Sequence, residues 1–581
     1  MTITQDVTRW GKNWGLMEYF FNDEEIKFIR KKIQALKIKH VVVCSFESRF
    51  ARSGGLAAVT TKLLPYLNEK KQVRQVLLMT PFYPHIIDGT KLTPTGITFK
   101  VMYDNKSIKV ELLQYILPAL SSNRREVVEY YVKADGFFES KNKIDDPYGY
   151  FPDDIRQNDA AIRYNALFFC KAVPLAVRAL DIRENLVFHL QEWQTALIAL
   201  TAKEALRDGT LFSCGTAQTL HNAFDSWISS GMLAAVTGNQ SIHEHPGFRD
   251  QGGMTALQMG LQLVDAPITT VSDHFAEELT TDLLQAGHFA PHLQEIFRKN
   301  QVYGIQNGLF IDFPQEYSQK QNITTREIKK IKQEKREKLL KMLAAYHPSE
   351  RFGQLTYRSQ SITQLPGTVP ILVMSGRLDP FQKGFDIFLQ ALEKFREDEI
   401  KVVLTPMPVK DSDLDYFHEV AGKCRGNITV FPIRMKKGYH ELQMGSTFGI
   451  MPSIYEPFGA AIEYMVSGTV TIARETGGLK DQVRHNVCGF LFREKPGFYT
   501  IENIKAFSQS CTTVQLRKEN PWAASMANEL YDVIGQAIDI YQNHQTDYYR
   551  FILEGFKQAR AFTWQKAAEK YFRVYEKIKS V

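Results

Sequence analysis

The sequence lacks the marks of several protein classes. Its six cysteines (Cys44, Cys170, Cys214, Cys424, Cys488, Cys511) are scattered over 581 residues without a C-x-x-C pair. That excludes a disulfide framework and the usual zinc-finger spacings, and suits a reducing compartment. No apolar run approaches the ~18 residues that cross a bilayer. The opening MTITQDVTRWGKNWG lacks the basic-then-apolar order of a secretion signal, so a cytoplasmic setting is expected. Neither sign of charge dominates: 71 Lys and Arg stand against 64 Asp and Glu, a net +7 too dilute to mark a nucleic-acid binder. There is no internal repeat, no low-complexity tract, no P-loop and no G-x-G-x-x-G. At 44% hydrophobic and 23% charged, the chain is not disordered, and its length allows two large domains.

What is present is a βα rhythm. His40–Phe46, Gln75–Thr80, Leu186–Leu190, Ala217–Leu220, Ile268–Ser272 and Val302–Gln306 read as strands, most of them followed by helical patterns. The rhythm restarts with Val369–Ser375, Lys401–Thr405, Asn427–Phe431, Phe448–Pro452 and Val470–Arg474. Two doubly wound α/β domains are predicted, with ligands beyond the carboxyl ends of the strands and a site in the cleft between the domains. The expected division is a helical extension at 1–39, a first domain at 40–314, a Lys-rich linker or insertion at 315–366 and a second domain at 367–550. A C-terminal helical segment, 551–581, is expected to cross back to the first domain. Thr325–Tyr346 is read as a solvated helix, because acidic residues interleave its lysines.

Several loops suit phosphate. Glu47-Ser48-Arg49-Phe50-Ala51-Arg52-Ser53-Gly54-Gly55-Leu56 places a glycine pair and Arg52 between a strand and a helix. A helix start offers N–H groups and a positive dipole end. Arg377 and Lys383 share the loop after the strand that opens the second domain. Met451–Gly459 (MPSIYEPFG) and Glu475–Leu479 (ETGGL) follow later strands.

This set resembles the bacterial and archaeal glycogen and starch synthases, glycosyltransferase family 5, which have the GT-B fold. Arg52–Leu56 is similar to the family's K-x-G-G-L loop, Arg377–Gly384 to its R-x-x-x-Q-K-G loop, Pro452–Gly459 to P-S-x-x-E-P-x-G and Thr476–Asp481 to T-G-G-L-x-D. Trp193–Leu197, His221-Asn222, Thr269–Ser272, Asn307-Gly308 and Phe562–Trp564 match in family order. The resemblance implies a retaining transfer of glucose from ADP-glucose or UDP-glucose to the non-reducing end of an α-1,4-glucan. By that resemblance Arg377 and Lys383 hold the diphosphate, Glu456 orients the donor glucose and His221 contacts the same sugar. Arg52, Gly54, Gly55, Tyr455, Thr476, Gly477, Gly478 and Leu479 fall on the nucleotide side, and Glu192, Trp193 and Asn222 on the acceptor side. No metal or other cofactor is expected, because the protein supplies the positive charge; no membrane span or nucleic-acid partner is expected either.

Four positions depart from the family pattern. Arg52 stands for its lysine, Ala58 and Phe310 for acids, and Gln191 for a histidine. They keep two alternatives open: a same-fold transferase with a small sugar, lipid or protein acceptor, or a catalytically silent nucleotide- or glycan-binding relative. Other motifs read as decoys. Asp411–Asp415 (DSDLD) fails the EF-hand spacing, His243-Glu244-His245 has the wrong spacing for two ligands on one helical face, and the sequons at Asn322 and Asn427 mean nothing without a secretory route.

Overall fold

The structure is a computed structural model. It describes residues 15–140, 146–151, 154–239, 252–318, 323–345, 367–379, 381–396, 399–407, 428–430, 438–509 and 514–580. Asp411–Asp415, His243–His245 and the sequons at Asn322 and Asn427 lie outside them. The chain divides into two compact units. Unit 1 comprises Met1–Val271, Phe289–Gly308 and Trp564–Val581; unit 2 comprises Ser272–His288 and Leu309–Thr563.

Unit 1 is built on strands β1 (His40–Cys44), β2 (Gln75–Pro81), β3 (Thr93–Tyr103), β4 (Lys106–Leu117), β5 (Val127–Ala134), β6 (Leu186–Gln191), β7 (Cys214–Leu220), β8 (Trp227–Ser229), β9 (Gly253–Thr255), β10 (Ile268–Thr270) and β11 (Val302–Gly304). β8 and β9 form a small ribbon. The other nine make one sheet in the order β11-β10-β7-β6-β1-β2-β5-β4-β3. Its centre is parallel because its strands are buried on both faces: β1 pairs with β2 and β6, His40 lying opposite Gln75 and Leu186. β3 and β4 extend the far edge antiparallel. Their alternating polar and apolar residues leave one face half exposed, which is why no continuous apolar run announced them. The helix Asp23–Gln34 belongs to this unit, starts on an Asn22–Glu25 capping box and buries Ile26, Ile29 and Ile33. Helix Ile155–Ala179 is, among the described residues, the one helix long and apolar enough to cross a membrane. Most of its apolar stretch is buried inside the protein, the mark of a core helix.

Unit 2 has strands β12 (Ile371–Arg377), β13 (Lys401–Met407), β14 (Ile428–Val430), β15 (Phe448–Met451), β16 (Val470–Arg474) and β17 (Gly489–Phe492). They form an all-parallel sheet in the order β14-β13-β12-β15-β16-β17, whose switch between β12 and β15 is where such sheets bind ligands. The second domain read from the sequence lacked β17.

The unit boundaries differ from the sequence division. Ser272–His288 lies in unit 2 although it falls within 40–314. The final segment splits: helix Gln545–Ala559 belongs to unit 2, and helix Trp564–Glu576 to unit 1. There the Tyr575 hydroxyl meets His189 Nδ1 at 2.8 Å. A Cβ on Gly308 would come within 2.3 Å of the Trp564 backbone nitrogen, so this close approach requires glycine.

The solvated reading of Thr325–Tyr346 is corrected. Thr325–Ala345 is a helix of unit 2 that buries Ile328, Lys332, Lys335, Leu339 and Leu343. Those positions are spaced four, three, four and four apart, one face of a helix. Two of them are lysines, which hid the stripe. Lys332 Nζ donates to the carbonyls of Met444 and Ser446 at 2.6 Å each and to Thr469 Oγ1 at 3.2 Å. Burial pushes its ammonium down to about 7. Lys335 pairs with Glu316. Replacing Lys332 with Ala takes its donor from the buried Met444 carbonyl and one of two donors from that of Ser446, so a loss of about 1–3 kcal/mol is expected in denaturant unfolding. An unchanged midpoint would show that the lysine carries none of the packing.

Candidate functional site

The unit 2 group grows from two neighbouring strand ends. β12 runs into Arg377, whose Nη2 donates to Gln382 Oε1 at 3.1 Å. Gln382 in turn accepts from Ile454 N through its carbonyl at 2.8 Å, tying this loop to the Met451–Gly459 loop after β15. Gly384 sits at φ +67°, and a Cβ there would meet the Pro452 carbonyl oxygen at 2.1 Å. Only glycine lets the two loops close, and their closure brings Lys383 Nζ to 2.6 Å from Glu456 Oε2. Ser453 Oγ donates to the same oxygen at 3.1 Å. Within the Arg377–Gly384 segment the one carboxylate near Lys383 is Asp379. The fold gives it Glu456 from 73 residues away. Tyr455 is buried beside that pair. Burial lifts the Glu463 carboxyl to about 7, against the pull of Lys383.

The Thr476–Leu479 turn does something other than present its N–H groups to a ligand. Glu278, from Ser272–His288, places Oε1 2.7 Å from Gly477 N and 3.0 Å from Thr476 Oγ1. Gly478 N donates to the Glu456 carbonyl at 2.9 Å. A Cβ on Gly478 would meet the Phe458 carbonyl oxygen at 2.2 Å, and Leu479 is fully buried. The glycine pair therefore packs the turn against the backbone that carries Glu456. Next to it Ala460 starts helix Ala461–Val466, the helix into which Met451–Gly459 leads, without a side-chain cap. Phe310, where the family has an acid, packs edge-on against Phe458 at 5.6 Å.

The unit 1 group has two clusters. At the first glycine pair, Glu47 is buried and its Oε2 accepts from Ser53 N, Gly54 N and Ala57 N at 3.1, 2.9 and 3.3 Å. Its carboxyl is raised by burial against those three donors. The Gly54 N–H is thus already taken by a carboxylate of the chain, while Gly55 starts the helix Leu56–Asn68 without a side-chain cap. Arg52 is exposed and its Nε donates to the Arg49 carbonyl at 2.8 Å.

The second cluster is at the end of β6. Glu192 has φ 64°, a region costly for any residue but glycine and found where a side chain must be aimed. Its Oε1 accepts from the backbone N–H of His221 and of Asn222, the latter at 3.1 Å. Burial lifts its carboxyl to about 8. His221 Nε2 lies 2.7 Å from Gln191 Oε1, and burial pushes the imidazole down to about 3, so it is neutral at physiological pH. Trp193 opens a short 3₁₀ turn just beyond. Thus the structure joins Arg377, Lys383, Tyr455, Glu456 and Thr476–Leu479 in unit 2, and Glu192, His221 and Asn222 in unit 1.

The Glu278 carboxyl, raised from 4.5 to about 7 by burial, yields a pH prediction. Between those values the unfolded chain has lost this proton and the folded chain keeps it, so this group makes stability fall as pH rises through that window. Glu278→Gln keeps the accepting oxygen and removes the titration. Its melting temperature should decline less than that of the parent from about pH 4.5 to 7. Parallel profiles would refute a buried, titrating Glu278.

Comparison with known proteins finds relatives over nearly the whole chain. A starch synthase catalytic domain matches residues 40–299, and the glycosyl transferases group 1 family matches residues 358–498. A glycogen synthase of Lactococcus lactis subsp. lactis is 26% identical over 546 residues, covering 91% of this chain and 98% of its own. One from Geotalea daltonii is 24% identical over 552 residues, covering 93% and 99%. Among solved structures, the catalytic domain of starch synthase IV from Arabidopsis thaliana, bound to ADP and acarbose, superposes with a TM-score of 0.67. It is 18% identical and covers 94% of this chain and 100% of its own. The two family matches follow chain order, each falling mainly on one unit, and the relatives share nearly their whole length with this protein. The chain is a glycosyltransferase of the GT-B fold, similar over nearly its whole length to the glycogen and starch synthases.

Proposed function

We propose that this enzyme transfers glucose from ADP-glucose or UDP-glucose to the non-reducing end of an α-1,4-glucan, and does so without a metal ion. The observation that carries the reading is the Lys383–Glu456 pair, held at 2.6 Å beside Arg377 at the end of β12. A carboxylate suits the hydroxyls of a sugar, and two cations suit a diphosphate; here they share one pair of loops. As the glycosidic bond to the diphosphate breaks, negative charge grows on the phosphate. Cations already fixed there stabilise that state more than the ground state. Glu456, backed by Ser453 and Lys383, is positioned to orient the sugar while its anomeric carbon becomes cationic. The relatives' names, and the ADP and acarbose bound to the starch synthase, support the nucleotide and the glucan. Free, buried Cys44, Cys170, Cys214 and Cys488 suit a cytoplasmic setting.

Release of nucleoside diphosphate from a panel of nucleotide sugars, with and without glycogen, tests this directly. Stimulation by glycogen with one glucose donor is expected. Release that glycogen leaves unchanged would point to another acceptor, and no release from any donor would defeat the reading. Lys383→Ala should lower kcat by about 10²–10³, as loss of one transition-state donor does. Because Glu456 would then be buried without its cation, some melting temperature should be lost as well. Glu456→Ala should lower kcat far more than it lowers stability. EDTA should leave the rate nearly unchanged, and a rate abolished by EDTA and restored by magnesium would overturn the metal-free mechanism.

A further inference from the structure

The end of β6 grips His221 twice. Glu192 accepts from its backbone N–H and from that of Asn222, so the main chain is fixed from one side. Gln191, the preceding residue, meets the ring: its Oε1 lies 2.7 Å from Nε2. Gln191 is itself held. It pairs with Thr219 in the β6–β7 register, and its carbonyl accepts from Thr195 Oγ1 at 2.8 Å. The side chain is 1% exposed, yet its Nε2 has no hydrogen-bond partner among the described residues.

We propose that Gln191 is a positioning residue that fixes His221 as its Nε2–H tautomer and so turns Nδ1 into a hydrogen-bond acceptor for a sugar hydroxyl. An amide oxygen only accepts, so the ring nitrogen facing it must carry the proton. A neutral imidazole has a single N–H, which leaves the lone pair on Nδ1. Burial keeps the ring neutral, and His189, on the same strand as Gln191, is likewise held neutral, its ring between Thr219 Oγ1 at 2.7 Å and Tyr575 at 2.8 Å. Nδ1, left as an acceptor, fits a donating hydroxyl of a neutral polyhydroxylated ligand. Naming that ligand as the transferred or accepting glucose rests on the function proposed above; the tautomer does not. The opposite amide orientation would have Nε2 donating to a bare His221 Nε2, with the proton on Nδ1.

Nitrogen-15 NMR of the full chain with labelled histidine separates the two. The His221 signals are assigned from their disappearance in His221→Asn. The expected spectrum shows a protonated Nε2 and a bare Nδ1 throughout neutral pH; a protonated Nδ1 overturns the proposal. Gln191→Leu should give a tautomer mixture and a kcat about tenfold lower, the worth of one hydrogen bond. Gln191→Glu, which only accepts once ionised, should restore the Nε2–H signature at pH values above its own titration. A Gln191→Leu protein with the parent tautomer and the parent kcat would also overturn it. A parent chain that shows the Nε2–H tautomer but releases no nucleoside diphosphate would support the positioning role and defeat the functional reading instead.

Discussion

The part of this structure on which the functional reading depends is the ion pair between Lys383 and Glu456. A half-buried ammonium and a buried carboxylate at 2.6 Å are costly to desolvate, and such a pair returns little net stability. Removing either partner alone is worse, because the other is left uncompensated. The surrounding fold is arranged to hold the two together. Gly384 lets its loop pass against Pro452, Gln382 ties the loops through Ile454, and Gly478 seats a third turn under the Glu456 carbonyl. A pair that returns little net stability yet has so much geometry committed to it is what the catalytic role proposed above calls for.

A second theme is that carboxylates of the chain occupy positions that look made for anions. Glu47 sits on the helix start after the first glycine pair, and Glu278 on the turn at Gly477. Each is buried with its carboxyl raised, and each accepts from backbone N–H groups at the start of a helix. A glycine pair before a helix therefore has two uses: exposing N–H groups to a ligand, or admitting a neighbouring backbone closely. Gly478 shows the second use through its contact with Phe458. The sequence pattern is the same for both.

Much of the fold was legible because buried parallel strands are written as short apolar runs. β1, β2, β6 and the strands of unit 2 up to β16 appear in the sequence at nearly their structural bounds. β3 and β4 did not, since half-exposed edge strands alternate polar and apolar residues and blend with loops. The helix at Thr325–Ala345 was misread for a related reason. Lys332 and Lys335 occupy its buried face, and a lysine is read as solvent-exposed until acceptors such as Met444 O and Ser446 O are seen around it. Phe310, an oddity in the sequence, has a plain packing role against Phe458.

The sequence by itself determined the class of chemistry, because loop motifs after strands are local: Arg377–Gly384, Pro452–Gly459 and Thr476–Asp481 lie in short contiguous segments whose residue types are visible directly. Tertiary structure alone decided which groups are partners. Lys383 and Glu456 are 73 residues apart, Glu278 and Gly477 199, and Tyr575 and His189 386. Protonation was decided there too. Glu192 near 8 and His221 near 3 owe those values to burial, and burial is set by what the rest of the chain packs around a side chain.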